Sequence, residues 1–144
     1  MRLLVTLFLM FYSNTTMQEV VTEFHALETQ ASEEAFYKKY KKSKDPSVLA
    51  YVLAIEMKQA EYTYNPFTML SLFNQGKKRI NALIRLYPDN VHLRYTRLVL
   101  QEETPWFLGF DDFLEVDKAF LKKKLAQKDE SDFLDMYIYK NTSL

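Results

Sequence analysis

Two arginines and a glutamine occupy unexpected positions in NVHLRYTRLVLQ, residues 90–101, a stretch that otherwise has the pattern of an apolar helix. At about 100° of rotation per residue, Arg94, Arg97 and Gln101 fall on one flank of that helix, between two apolar sides. The same geometry places Glu56 and Asp117 among apolar residues of two other predicted helices. An unpaired charge in such surroundings costs several kcal/mol, so we predict that these acids pair with the arginines and that Gln101 completes the hydrogen bonds.

Three interpretations of this polar cluster are compatible with the sequence. In the first, it is an interior ionic network that fixes the register of neighbouring helices. In the second, the arginine pair is the floor of a groove, with Tyr62, Tyr64 and Trp106 as aromatic walls, and binds an acidic peptide terminus or a small anion. In the third, Glu56 or Asp117 is a catalytic acid, although the sequence supplies no nucleophile or metal site to accompany it.

Most other reaction centres have no counterpart in this sequence. The absence of cysteine excludes disulfides, thiolate metal sites and cysteine nucleophiles. His25 and His92 lack metal-ligand spacing, and two glycines in the whole chain cannot form a phosphate-binding loop. The 19 basic and 19 acidic residues balance, which is not the charge pattern of a nucleic-acid-binding protein. We therefore predict no metal, no cofactor and no nucleic-acid partner, and we favour a binding role over an enzymatic one.

The elements that position these residues are predicted to be helices, since 144 residues contain only two glycines and four prolines. Periodicity and capping signals predict helices over 18–42 (with a break near 29–32 and Ser32 as the new cap), 46–63, 66–87, 91–103, 111–123 and 131–139. The acidic pair Asp111-Asp112 is expected to open the fifth helix. The 46–63 helix is apolar on nearly all sides, which indicates a central helix. By contrast, His92, Thr96 and Glu103 are predicted to face water.

Gly76 lies on the apolar stripe of the predicted 66–87 helix. A glycine inside a helix costs about 1 kcal/mol relative to alanine. Its position on the packing face therefore predicts a close approach by a neighbouring helix, the one over 46–63.

The N-terminal segment MRLLVTLFLMFYS has a basic residue, Arg2, followed by an apolar run from Leu3 to Tyr12 that only Thr6 interrupts. This pattern is typical of a signal peptide, and the apolar run is too short to span a membrane. We predict a signal peptide over 1–17 and a single α-helical domain over 18–144, exported to the periplasm or envelope. The alternative is an apolar first helix of a cytoplasmic protein.

Two resemblances extend this interpretation. LYPDNVHLRYTRLVL resembles the joint between units of tetratricopeptide-type repeats, although the tryptophan-leucine-glycine-tyrosine signature of those repeats is missing. The order NPFTMLSLFNQGKKRINALIRLYPDNVHLRYTRLVLQEETPWFLGF…DK resembles a group of small exported proteins from Bacteroidota such as flavobacteria. The matching positions are Asn65, Pro66, Phe73, Gly76, Ile84, Pro88, Asn90, Arg94, Arg97, Gln101, Pro105, Leu108, Asp117 and Lys118. That resemblance implies a helical fold and export, and it brings no activity with it.

The sequence as a whole predicts an all-α fold of five to six helices stacked as antiparallel hairpins, either a degenerate tetratricopeptide-like stack or an orthogonal bundle. The function we predict is that of a protein-interaction or scaffold module of the bacterial envelope, with another protein or a peptide as its partner. The second possibility is a small anion- or glycan-active enzyme that uses an arginine–acid cleft.

Overall fold

The computed structural model describes residues 15–144, and every regular element in this part of the chain is helical. The α-helices are α1 (Met17–His25), α2 (Gln30–Tyr40), α3 (Pro46–Lys58), α4 (Pro66–Leu86), α5 (Val91–Glu103), α6 (Leu114–Leu125) and α7 (Asp135–Asn141). Short 3₁₀ turns at Gln59–Tyr62, Trp106–Leu108 and Asp132–Leu134 connect or extend them. The predicted all-α class is confirmed, with seven helices over the described residues rather than five or six.

The predicted 18–42 helix is two helices, because a capping box restarts the chain at α2. The Thr29 side chain accepts a hydrogen bond from the Ser32 backbone N–H at 3.1 Å, and the Ser32 hydroxyl accepts one from the Thr29 N–H at 3.1 Å. The prediction that Ser32 caps this helix was wrong, since Ser32 closes the capping box from inside the first turn. A second capping box, between Thr16 and Glu19, opens α1.

Of the predicted signal peptide over 1–17, residues 1–14 lie outside the described residues, and Met17 begins α1. From residue 15 onward, no helix combines the length and the apolar composition that crossing a membrane requires.

α3 is the central helix, as its composition predicts. All six residues from 50 to 55 are buried, and the helix packs against α1, α2, α4 and α5. Its N-terminus is fixed by Asp45, whose Oδ1 accepts from the Ser47 N–H at 2.8 Å. Asn90, the cap of α5, also donates from Nδ2 to the Ser47 hydroxyl at 2.8 Å. The two helix starts are thereby tied together, which fixes the position of α5 along α3.

α4 crosses α3 at Gly76, as predicted. A Cβ atom built on Gly76 would overlap the Met57 side chain and lie only 2.6 Å from its Sδ. Such distances do not occur between real atoms, so the absence of a side chain at Gly76 is what allows α3 and α4 to approach at this point.

α6 begins at Leu114, three residues later than predicted. The acidic pair precedes the helix instead of opening it, and Asp112 makes an ion pair with Lys77 of α4 at 3.4 Å. Gly109 adopts a left-handed conformation (φ 60°) that ends the preceding 3₁₀ turn. The Phe113 N–H then donates to Gln101 Oε1 at 2.9 Å, so that the start of α6 is held against α5.

Candidate functional site

Asp117 is the centre of a buried polar cluster between α5 and α6. Its carboxylate accepts four hydrogen bonds: from Arg97 Nε and Nη2 at 2.7 Å each, from Arg94 Nη1 at 2.9 Å and from Gln101 Nε2 at 3.0 Å. The Asp117 side chain has no exposed surface, and the Arg97 and Arg94 side chains are 3% and 13% exposed. Four of the five residues predicted to form the polar cluster therefore lie together.

The two guanidinium groups are also enclosed by other partners. Arg97 Nη1 donates to Asn81 Oδ1 on α4 at 3.0 Å, and Arg94 Nε donates to a backbone carbonyl at 3.0 Å. The ring centroid of Phe113 lies 4.1 Å from the guanidinium carbon of Arg97, and the ring centroid of Phe120 lies 5.0 Å from the guanidinium carbon of Arg94. The arrangement is an interior ionic network that joins α4, α5 and α6, and the Asp117 carboxylate occupies the position between the arginines that an anionic ligand would take.

Glu56 does not belong to this network, and the prediction that it pairs with Arg94 or Arg97 was wrong. It forms an ion pair with Arg79 of α4 and is partly exposed. Helical periodicity shows that Glu56 lies among apolar neighbours on α3, but it does not show which helix covers that side. In the structure that helix is α4, whereas α5 covers another side of α3.

The predicted aromatic wall around the arginines is also wrong. The Tyr62 hydroxyl donates to Glu33 Oε2 at 2.9 Å, on a different side of the molecule, and this bond is the main cause that raises the tyrosine's pKa. The Tyr64 side chain is fully exposed. Trp106 is 90% exposed and packs edge-on against Phe107, with 6.1 Å between ring centroids. The rings beside the guanidiniums come from α6 and the residue before it.

A cavity with a volume of about 580 Å³ lies on another side of α5. α1, α2, α3, α4 and α5 contribute to its wall, together with the 104–108 joint and Asn141 near the C-terminus. The wall is mainly apolar, with Phe24, Ile55, Phe73 and Val99 among its residues. A cavity of this size with a mainly apolar wall is typical of a ligand-binding site.

The sequence prediction that this side of α5 faces water was wrong for two of its three residues. His92 and Thr96 are buried at 6% and 4% exposure, and Glu103 is exposed at the cavity mouth. His92 Nδ1 is hydrogen-bonded to the Tyr51 hydroxyl at 2.8 Å, and its ring lies 6.0 Å from that of Phe133. Burial lowers the pKa of His92 to about 4.

Three carboxylates lie on the cavity wall, of which one has hydrogen-bond and ion-pair partners and two have none within the described chain. Glu33 is buried, and its carboxylate contacts Lys58 Nζ at 2.6 Å and the Tyr62 hydroxyl, which raises the pKa of Lys58. The carboxylates of Glu61 and Glu103 make no hydrogen bond or ion pair with any residue from 15 to 144. Partial desolvation raises the pKa of Glu103, the negative charge of Glu61 raises it further, and the positive charge of Lys58 lowers it.

Uncharged polar groups lie on a second part of the wall. His25 stacks on Tyr137 with 4.3 Å between ring centroids, and its Nε2 is hydrogen-bonded to the Tyr95 hydroxyl at 3.1 Å. Burial, together with the charge of Lys140, lowers the pKa of His25 to about 4, so this ring is neutral at pH 7. The Thr96 hydroxyl is buried and has no hydrogen-bond partner within the described chain. No group of three histidine, aspartate or glutamate side chains among residues 15–144 is arranged to hold a metal ion.

No family model, curated protein or solved structure matches this chain. The two resemblances noted in the sequence stay predictions, and the function must be inferred from the residues and their geometry.

Proposed function

We propose that this protein is an interaction module that binds an apolar segment of a partner protein in the cavity beside α5. The observation that carries the proposal is the position of the cavity next to exposed aromatic side chains. Trp106 and Phe107 are 90% and 68% exposed, and their chain neighbours Pro105 and Leu108 line the cavity. Exposed apolar residues beside a concave surface are typical of a protein-binding site.

A second group of exposed apolar residues extends this surface along the first turn of α4. Met69 lines the cavity and is 41% exposed, while Phe67 and Leu70 are 83% and 47% exposed. The apolar surface is therefore larger than the cavity itself. A small molecule could fill the cavity but would leave these side chains in water, whereas a peptide segment would cover both.

The interior network of Asp117 gives no support to an enzyme that uses an arginine–acid cleft, because its carboxylate is fully buried and its hydrogen bonds are satisfied. It supports a structural role, in which α5 is held in place while another of its sides faces the cavity.

Selection of peptides from a random display library against the full chain tests the proposal. We expect apolar peptides to be enriched, and we expect the double variant Trp106→Ala/Phe107→Ala to bind them about tenfold more weakly or worse. Leu86→Ala is the matched control, because Leu86 is 72% exposed but lies about 25 Å along α4 from Met69. The proposal is rejected if no peptide is enriched, or if the double variant binds the selected peptides as well as wild type does.

We also propose that the chain is exported to the periplasm or envelope. The support is the basic and apolar pattern of residues 2–12. Fractionation of expressing bacterial cells, with mass spectrometry of the recovered N-terminus, is the test. An uncleaved protein found only in the cytoplasm would contradict it.

A further inference from the structure

One side of α5 presents two polar groups to the cavity with an apolar stretch between them. Thr96 and Glu103 are seven residues apart, which is two helical turns or about 10 Å, and therefore lie on the same side of the helix. Val99 and Leu100 line the cavity between them. A segment lying along this side would meet Thr96 at one end, an apolar surface in the middle and a carboxylate at the other end.

The Thr96 hydroxyl is an unusual feature of this wall. Its side chain is 4% exposed, and no other described residue accepts from or donates to its Oγ1. Buried polar atoms in folded proteins almost always have a hydrogen-bond partner. Thr96 lines the cavity, but its Oγ1 has almost no accessible surface, so a polar group of a bound molecule would reach the hydroxyl only after a rotation of the Thr96 side chain.

The charges around the cavity mouth are unbalanced. Three carboxylates, those of Glu33, Glu61 and Glu103, line the cavity together with one ammonium group, that of Lys58. Lys58 lies 2.6 Å from Glu33 and acts on Glu61 and Glu103 only through its longer-range field, so neither of these two carboxylates has an ion-pair partner in the described chain. Desolvation is the main cause that raises the pKa of Glu103, and a cation near Glu61 and Glu103 would offset both this cost and the smaller repulsion by Glu61.

We propose that the partner segment carries a lysine or arginine between apolar residues, with the cation bound at the mouth by Glu103 and Glu61 and a backbone group hydrogen-bonded to Thr96. This inference rests on the proposed function, because it assigns a chemistry to the segment that the cavity binds. Apolar side chains on either side of the cation contact the cavity wall and the exposed rings of Trp106 and Phe107.

The charge specificity can be removed by one substitution. We expect random-library selections on the wild-type full chain to enrich peptides with lysine or arginine among apolar residues. In the Glu103→Lys variant the new ammonium group would face Glu61, so the selected peptides should lose their enrichment in lysine and arginine. Glu115→Lys is the matched control, because the Glu115 side chain is 90% exposed on α6 and does not line the cavity, so its selected peptides should match those of wild type.

Thr96→Val separates binding from folding. Valine has nearly the same shape and removes an unsatisfied hydroxyl, so we expect a melting temperature equal to or above that of wild type. The affinity for the selected basic peptides should nevertheless fall by about three- to tenfold. A purely structural threonine would give no such loss.

The outcomes distinguish this inference from the function on which it rests. If no peptide is selected, the interaction function fails and this inference fails with it. Selection of apolar peptides without a basic residue leaves the interaction function standing and overturns the inference. The inference is also overturned if Glu103→Lys keeps the wild-type preference for basic peptides, or if Thr96→Val binds these peptides as tightly as wild type does.

Discussion

Replacing Asp117 by asparagine is the sharpest test of the interior network. The substitution keeps the size and shape of the side chain but removes its negative charge. The new amide would still offer one carbonyl oxygen, but its NH₂ group would point donors at guanidinium groups that are themselves donors. The four hydrogen bonds that Asp117 now accepts could not all be replaced. Arg97, whose side chain is 3% exposed, would be left as a buried cation without a countercharge.

The expected cost follows from this burial. Removing one member of a buried ion pair typically destabilises a protein by about 3–5 kcal/mol, because the remaining charge stays buried and unpaired. Domains of this size have a total stability of about 5–15 kcal/mol. Since a loss of 1 kcal/mol lowers the melting temperature by about 3 °C at this chain length, we expect a decrease of about 10–15 °C.

Thermal and urea unfolding of the full chain, followed by circular dichroism, measures this effect. Glu115→Gln is the control, because it removes a carboxylate from the same helix at a side chain that is 90% exposed, and it should change stability by less than about 0.5 kcal/mol. A melting temperature for Asp117→Asn close to that of Glu115→Gln would refute the argument that the network stabilises the fold. The double variant Arg97→Met/Asp117→Leu adds a second check. It should be more stable than Asp117→Asn, because it removes both charges of the closest pair.

Two further predictions follow from the packing and from a buried imidazole. Gly76→Ala should lower the free energy of unfolding by about 1–2 kcal/mol, because the new methyl group overlaps Met57. Met57→Ala should therefore cost less stability in the Gly76→Ala variant than in wild type. If urea unfolding shows that the two losses simply add, the overlap is not the cause. The pKa of His92 is about 4 in the folded state, compared with 6.5 for an unperturbed histidine. Between pH 6.5 and pH 4 the unfolded chain therefore binds more protons than the folded chain, and stability falls as the pH decreases through this range. The loss attributable to His92 should reach about 3 kcal/mol at pH 4, and His92→Asn, which retains a hydrogen-bonding group for Tyr51, should remove most of it. An unchanged difference between urea unfolding at pH 7 and at pH 4 would show that other groups cause the acid sensitivity.

Features that depend on residues close together in the chain, such as helix starts and the side of a helix on which a residue lies, could be predicted from the sequence. The predicted helix starts at 46, 66 and 91 coincide with the first residues of α3, α4 and α5, and periodicity alone placed Arg94 and Asp117 on apolar flanks where they had to find partners. Two charged groups of opposite sign in such positions have few ways to be satisfied, so their pairing could be predicted without knowing the crossing angle of α5 and α6.

The partners of other groups depended on which helix covers which side, and periodicity does not contain that information. Glu56 has the same apolar neighbours whether α4 or α5 lies above it, and it pairs with Arg79 because α4 does. His92 was predicted to face water because the residues that cover it, around Phe133, come about forty positions later in the chain. The cavity was unpredictable for the same reason, since its wall combines residues from Phe24 to Asn141 and no short stretch of sequence contains its pattern.

The network around Asp117 also has a consequence for the entropy of binding. Hydrophobic side chains around a cavity tend to collapse into it, and an open site must resist that tendency. The Arg94, Arg97 and Gln101 side chains fix both the rotation and the position of α5 against α6. The side of α5 that lines the cavity therefore cannot turn inward without breaking buried hydrogen bonds. Much of the order that the proposed binding would require is already present in the free protein, so the entropy cost of ordering this wall around a partner segment would be smaller.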